Sequence, residues 1–477
     1  MVTLTEQGPN RYLLPKSGAM QVDALIFLNY KLRAQLDENG AELQQLRDAA
    51  TLPGIFGPVV GMPDIHAGFG LPIGGVMAAR AEGGIVSAGA VGMDINCGVR
   101  LLSTKISAAK LDKPVLRALM AAVEKRIPAG IGRASRHRKL CRDALPDVLA
   151  RGARGLVEHG YGTAADLACT EEGGCLDGAD IHAVSDCALK RTSQLSTLGG
   201  GNHFLEFGFV AETYDSETAE QFGLQKGMLT VLIHTGSRGF GHQICKDYTE
   251  ILSVAAKKYG IHLLAKGLAC CPTESPEGRA YLSAMACAVN FAFANRQLIT
   301  YDVREAFAEV FADSGEEFGL DVVYDVAHNI AKFETHHGEN LLVHRKGATR
   351  ALPPGHPQNP DRFCGSGHPV IIPGSMNSPS YVLTGTEAVR ETFCSVNHGA
   401  GRVMSRSAAR KAISREQFMA SVGEVLLNTR DYKQLLDEAP PAYKDINDVV
   451  DTLAEVGLTK KIARLCPLAV IKGEGDD

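Results

Sequence analysis

One histidine stands among small residues in the stretch Val396-Asn397-His398-Gly399-Ala400-Gly401-Arg402-Val403-Met404-Ser405-Arg406. Residues this small let a bulky phosphorylated group approach the backbone, and an imidazole placed there suits a nucleophile. Arg402, Arg406 and Arg410 recur every four residues, so a helix starting here would align three guanidiniums on one face, a row suited to phosphate. The plainer alternative is a glycine turn leading into a basic surface helix.

A second group has the chemistry of metal ligands. Gly92-Met93-Asp94-Ile95-Asn96-Cys97-Gly98 sets a carboxylate and a thiol three residues apart in a glycine-bounded loop, so both can turn toward one ion. His203 lies in Gly200-Gly201-Asn202-His203-Phe204-Leu205-Glu206, while His234 and His328 follow short apolar runs. One Asp, one Cys and three His are enough for two metal ions sharing the thiolate. Mixed hard and soft donors do not choose the metal, although equilibrium affinity favours zinc over manganese.

Three further loops gather polar groups. Met62 to Gly75 offers backbone amides with Asp64 and His66, and His234-Thr235-Gly236-Ser237-Arg238-Gly239 and Arg345-Lys346-Gly347-Ala348-Thr349-Arg350 bring hydroxyls, amides and cations suited to phosphate. Neither of the last two has the P-loop spacing, so a P-loop mechanism has no support. Serines follow at Pro373-Gly374-Ser375-Met376-Asn377-Ser378-Pro379-Ser380-Tyr381.

The elements that must position these residues are mixed. Apolar runs over 229–233 and 322–326 are too short for helices and predict strands ending at or near His234 and His328. Leu116, Leu119, Met120, Val123 and Ile127 predict a helix over 114–127, and residues 275–310 read as one or two mostly buried helices. Glycine clusters at 54–75, 83–98, 199–201 and 236–241 separate such elements. With no repeat, linker or low-complexity tract, the pattern predicts one large intertwined α/β domain over residues 1–477, with a polar helical cap from about Glu416.

Composition narrows the class. Hydrophobic residues make up 45% and charged residues 22%, the balance of a folded globular chain. A net charge of −5 excludes a uniformly basic nucleic-acid coat protein while permitting a locally positive channel. Of two basic runs, Arg133 to Arg142 and His344 to Arg350, the first reads as a solvated charged face. The first residues lack the pattern of a secretion signal and no stretch reaches the ~18 apolar residues of a membrane span, which predicts a cytoplasmic protein. The twelve cysteines contain no CxxC pair and read mostly as reduced, buried small hydrophobes, Cys97 excepted.

Taken together, MPDIHAGFGLPIGG, GMDINCG, GGGNHFLEF, HTGSRG, AHN, HRKGATR, PGSM and HGAGRVMSR resemble, in family order, the RtcB family of RNA ligases. The likeness extends from Gly54 to the C-terminal Pro467 to Gly473. It implies an unusual α/β fold and an enzyme that joins RNA in tRNA splicing and repair. The family opens a 2',3'-cyclic phosphate to a 3'-phosphate, transfers GMP to it from a guanylylated histidine, and lets a 5'-hydroxyl displace the GMP.

By that resemblance the guanylylated histidine maps to His398. Two manganese ions share Cys97, one also held by Asp94 and His203 and the other by His234 and His328. GTP would be held by Asn202, Glu206, Ser375, Ser380, Gly399, Ala400, Gly401, Tyr443 and Lys472, with Glu206 and Lys472 reading the guanine edge. Arg191, Arg238, Lys346, Arg402 and Arg406 would hold RNA or nucleotide phosphates, grouped with Asp64 and His66. Asn377-Ser378-Pro379 departs from the family's glycine-threonine-alanine between its two serines. An archease-type activator is a family-level partner. Competing readings are a two-metal RNA-end phosphodiesterase or phosphatase, and a noncatalytic RNA-binding protein.

Overall fold

Strands and helices alternate irregularly through the chain and assemble into two large, mainly antiparallel sheets in a computed structural model that describes residues 4–312, 317–429 and 431–475. One sheet has eight strands. Its main path runs Gly319–Ala327, Gly98–Ser107, Met228–Thr235, Phe204–Thr213, Thr459–Lys472, Ser380–Gly385 and Val370–Ile372, with Leu426–Leu427 pairing Thr459–Lys472 in parallel. The seven-stranded sheet includes Val59–His66, Ile73–Arg80, Glu339–Lys346 and Asn329–His336 as neighbours. The predicted strands are present: 229–233 lies within Met228–Thr235, which includes His234, and 322–326 lies within Gly319–Ala327, just ahead of His328.

Residues 276–310 form one helix of 35 residues. Ser275 caps it by accepting from Gly278 N at 3.1 Å, and Pro276 opens its first turn, where a missing N–H costs nothing. Apolar on nearly every side through Ala284–Ala294, the helix is buried over most of its length. Its buried polar side chains act as clamps on loops. Asn295 Nδ2 donates to Thr197 O and Gly236 O, at 3.2 and 3.1 Å. Arg296 Nη1 donates to Asn96 O and Thr235 O, each at 2.9 Å. Both Arg296 and Arg100, wholly buried, converge on the wholly buried Asp325, whose oxygens lie 2.8 Å from Arg296 Nη2 and 2.7 Å from Arg100 Nε.

Three sequence expectations are corrected. The helix predicted over 114–127 spans Lys113–Glu124 and stops short of Ile127. Arg402 precedes rather than joins the basic helix, which is Arg406–Ala412 with Ser405 as its N-cap. Beyond Glu416 the chain does carry the helices Arg415–Val422 and Ile446–Glu455, but it ends in Thr459–Lys472, a strand between two partners of the larger sheet, so this segment is not only a cap. Its alternation is broken by bulges near Leu465 and Pro467, which hides the strand period. Among the described residues, no helix is long and apolar enough to cross a membrane.

Replacing Asp325 with Ala would leave two guanidiniums buried without their shared counter-charge. We expect a loss of about 3–5 kcal/mol of stability, measured by urea denaturation. An unchanged midpoint would show that the cluster contributes nothing to the fold.

Candidate metal and nucleophile site

Antiparallel pairing brings four distant residues to one edge. Gly319–Ala327, Gly98–Ser107, Met228–Thr235 and Phe204–Thr213 are consecutive neighbours, and register pairs Gly98 with Ala327 and Thr235, and Phe204 with His234. His328, Cys97, His234 and His203 therefore sit at or one residue beyond four adjacent strand ends, and neighbouring strands are about 4.8 Å apart. Asn96, at φ 54°, turns the chain into Gly98–Ser107, and Asn tolerates this left-handed conformation better than most residues.

The side chains converge. Cys97 Sγ lies 3.3 Å from His203 Nε2 and 3.4 Å from His234 Nε2, and His234 and His328 bring their Nε2 atoms within 3.4 Å. Asp94 Oδ2 is 2.9 Å from His203 Nε2. Donors bound to one tetrahedral ion at ordinary bond lengths stand about 3.3–3.6 Å apart, so this spacing suits ligation. Cys97, His234 and His328 form one three-donor group, and Asp94, Cys97 and His203 another, with the thiol common to both.

Burial keeps most of these donors uncharged, the form in which an imidazole can bind a cation. Burial pushes the Cys97 thiol well above its ordinary range, with Asp94 adding to the effect, and burial pulls His234 and His328 well below theirs, leaving neutral imidazoles. Burial opposes charge on Asp94 as well, but His203, His242 and Arg238 outweigh it and hold the carboxyl below the usual range. Arg238 Nη1 is 2.7 Å from His203 Nδ1; a guanidinium can only donate, so the His203 ring proton lies on Nε2, toward Asp94. An ion at that nitrogen must displace the proton.

His398 stands beside this group, its ring centroid 4.9 Å from that of His328. Asp64, fully buried, accepts from His398 Nδ1 at 2.6 Å and from its backbone N at 3.2 Å. The proton held on Nδ1 leaves Nε2 as the lone-pair nitrogen of a ring that lines the cleft. A Cβ at Gly401 would come within 2.1 Å of Asp64 O, and its φ is +75°, so glycine here permits the close approach of the two loops. Asp64, grouped in the sequence with phosphate contacts, is instead placed to orient His398.

Around the same cleft the structure gathers Asn202, Ser375, Gly399, Ala400, Gly401, Tyr443, Lys472, His66, Lys346, Arg402 and Arg406. It does not gather Glu206, Ser380, Arg191 or Arg238 along that wall. Glu206 is buried with no partner for Oε2, and burial raises its carboxyl to about 8. Ser380 Oγ accepts from Gly374 N at 3.0 Å. Besides Arg238, which donates to His203, the expected phosphate cations Lys346 and Arg402 are already engaged. Lys346 Nζ donates to Phe69 O and Gly89 O, and burial lowers it to about 8. Arg402 donates to Met404 O, Glu438, Tyr443 Oη and Asp437 O. His66 gives its Nδ1 proton to Asp64 O at 2.9 Å and, lowered by burial to about 4, is neutral near pH 7.

Several lining residues were not singled out from sequence. Glu438 is almost fully buried, accepts from Tyr443 and Arg402, and lies 3.6 Å from Arg406 and 4.0 Å from Lys472. Nothing in Leu435-Leu436-Asp437-Glu438 separates it from a solvated acidic residue. His242, 3.8 Å from Asp94, lies one helical turn after Arg238, a spacing that could have exposed it. Asn329 donates to Asp94 O at 3.0 Å and accepts from Gly347 N at 2.9 Å, tying the Asp94–Cys97 loop to the Lys346 turn.

An α/β body whose strand ends gather a shared thiol, histidines and a carboxylate beside an oriented histidine defines a candidate metal-site enzyme with a histidine nucleophile. The family model described as "tRNA-splicing ligase RtcB" matches residues 45–473, and the chain belongs to the RtcB family. It is 45% identical over 473 residues to the tRNA-splicing ligase RtcB of Archaeoglobus fulgidus, covering 97% of each chain. It is 43% identical over 482 residues to that of Thermococcus kodakarensis, covering 99% of each. The RNA-splicing ligase RtcB of Mycobacterium bovis is 45% identical over 437 residues, 90% of this chain and 100% of that one.

Cys97→Ser replaces the donor common to both groups with a weakly acidic hydroxyl. It should deplete bound divalent metal more than serine at any other cysteine, while circular dichroism stays unchanged. Elemental analysis of dialysed protein tests this, and full metal retention would return Cys97 to a packing role.

Proposed function

We propose that the protein is a GTP- and manganese-dependent RNA ligase, joining RNA 3'-phosphate or 2',3'-cyclic phosphate ends to 5'-hydroxyl ends in tRNA splicing or RNA repair. The observation that carries the reading is His398: Asp64 holds Nδ1 at 2.6 Å while the ring lines a cleft beside the Cys97 group. A hydrolase built on the metal ligands alone gives that dedicated histidine and carboxylate no task. Family membership and relatives named as splicing ligases over nearly their whole length support the RNA substrate.

His398 Nε2 attacks the α-phosphorus of GTP, the bond to pyrophosphate breaks, and GMP remains on the ring nitrogen. Asp64 keeps the Nδ1 proton in place and stabilises the positive charge that develops on the imidazole. An oxygen of the RNA 3'-phosphate then attacks the GMP phosphorus and releases His398. The 5'-hydroxyl of the second RNA attacks the activated 3'-phosphorus, GMP departs, and a 3',5'-phosphodiester is formed. Gly399, Ala400 and Gly401 leave room beside the nucleophile, and Asn202, Ser375, Tyr443 and Lys472 lie on the wall where a nucleotide would rest. Two divalent ions, held by Asp94, Cys97, His203, His234 and His328, would neutralise charge on nonbridging phosphate oxygens. Ser380 would meet the nucleotide only by giving up its present contact with Gly374 N. The setting is cytoplasmic, with an archease-type protein as activator.

Protein incubated with labelled GTP and manganese should form an acid-labile GMP adduct, which His398→Ala abolishes. Asp64→Asn should slow adduct formation by about 10²–10⁴-fold with little change in KM for GTP. Absence of any adduct from the unaltered protein, with cyclic phosphate still hydrolysed, favours the hydrolase reading instead. Lys472, 5.3 Å from the Phe204 ring centroid, lies deep in the cleft wall. Lys472→Ala should raise the GTP concentration needed for the adduct and narrow the preference over ATP; unchanged dependence on both nucleotides removes Lys472 from the site.

A further inference from the structure

The basic run at 133–142 has no part in the site described above, yet its place in the fold gives it a direction. Arg133, Arg136, Arg138, Lys139 and Arg142 carry five positive charges with no Asp or Glu among residues 131–142, and all five side chains are exposed. Ser135 N donates to Ser193 O at 2.8 Å, which sets this segment against the turn bearing Lys190 and Arg191, also exposed. Arg142 has a local partner in the adjacent Asp143, at 2.7 Å, and Arg136 reaches Lys125 O at 3.5 Å. Among the described residues, Arg133, Arg138, Lys139, Lys190 and Arg191 have no carboxylate within salt-bridge distance. Such a patch on a chain of net charge −5 is a local reversal of sign.

The patch begins where the catalytic cleft ends. Gly130 N donates to Gly199 O at 2.9 Å, and Gly199 opens the loop that carries Asn202 and His203. Ile131 N donates to Glu474 O at 3.3 Å, which fixes the run to the chain's last described residues. A hollow bordered by Arg133, Asn428 and Lys472 shares Lys472 with the cleft, and its acidic members are Glu124, tied to Asn428 at 2.9 Å, and Glu474. A second hollow is bordered by Ala134, Arg138, Arg142 and Lys190. The cations thus form a track leading outward from the cleft. No Phe, Tyr or Trp lies in 131–142, and the one imidazole, His137, is held by Asp302 at 3.0 Å and packs edge-on against the partly buried Tyr161, so the run itself offers no free ring on which bases could stack.

We propose that this surface binds the phosphodiester backbone of an RNA strand whose end lies in the cleft, without reading its sequence. The proposal rests on the ligase reading and adds to it the path of the RNA. Cations with no free ring among them recognise evenly spaced phosphates, and their contribution falls with salt because releasing condensed counterions then gains less free energy.

The test is the quadruple variant Arg133→Gln, Arg138→Gln, Arg142→Gln, Lys190→Gln of the full chain. Binding of a fluorescent 3'-phosphate RNA of roughly twenty nucleotides should weaken about tenfold or more, with the slope of log affinity against log salt falling by up to about 3, since each single-strand phosphate contact contributes about 0.7. Formation of the GMP adduct without RNA should be unchanged, as should joining of substrates only a few nucleotides long. The triple Arg→Lys variant, with Lys190 kept, should retain the affinity, because the interaction is one of charge. Unchanged affinity and salt slope in a folded quadruple variant overturn the proposal, as does weakened binding in the Arg→Lys variant. Loss of binding to anionic phospholipid vesicles with RNA affinity intact reassigns the surface to a membrane and overturns it too. RNA binding is measured without ligation, so an unaltered protein that forms no GMP adduct defeats the ligase reading while the track is still tested.

Discussion

Asp325, enclosed with Arg100 and Arg296, is the interaction from which the site takes its shape. Two guanidiniums and one carboxylate are wholly removed from water, an arrangement that costs desolvation and is sustained because nearly every polar atom finds a partner. Arg296 then has donors left for Asn96 O and Thr235 O, the carbonyls next to Cys97 and His234. A planar fork fixed by Asp325 on one side holds the turns of the candidate metal ligands on the other, which a flexible ammonium could not do. The long helix that carries Arg296 extends the same logic through Asn295, whose amide holds Gly236 and Thr197.

The cleft is built by a different rule, in which buried charges secure loops. Lys346 holds Phe69 and Gly89 carbonyls, Lys444 holds those of Pro63 and Ile65, and burial lowers both lysines to about 8. These contacts bracket the loop that presents Asp64 and His66. Glu438 performs the complementary task elsewhere in the lining, where Tyr443 and Arg402 donate to one buried carboxylate. A rigid wall of this kind keeps His398 in one orientation, and its Nδ1 contact with Asp64 decides which ring nitrogen faces the cleft. The proposed chemistry rests on that orientation more than on the acidity of any one group.

How much was legible depended on whether a residue's task is local. Cys97 and the histidines announced themselves because glycine turns and strand ends surround them, and the structure does bring them together. The buried helix over 276–310 and the strands before His234 and His328 were legible from periodicity. The contact of Asp64 with His398 was not legible, because its partner lies 334 residues away and nothing local distinguishes a carboxylate that orients a histidine from one that faces a ligand. Arg402 and Lys346 were read as cations awaiting phosphate for the same reason: their engagements are with Glu438 and with the carbonyls of distant loops.

The sequence by itself determined the donor chemistry, the glycine-bounded turns that allow donors to converge, most of the element types and, through its motifs, the family. Tertiary structure alone decided that four strand ends align on one sheet edge, that Glu206 turns into the interior while Glu438 reaches the cleft, and that Thr459–Lys472 enters the sheet instead of capping it. The physical reason is range. Turn preference and hydrophobic period are properties of a few consecutive residues, whereas strand order, shared counter-charges and the loss of water around a side chain depend on segments hundreds of positions apart.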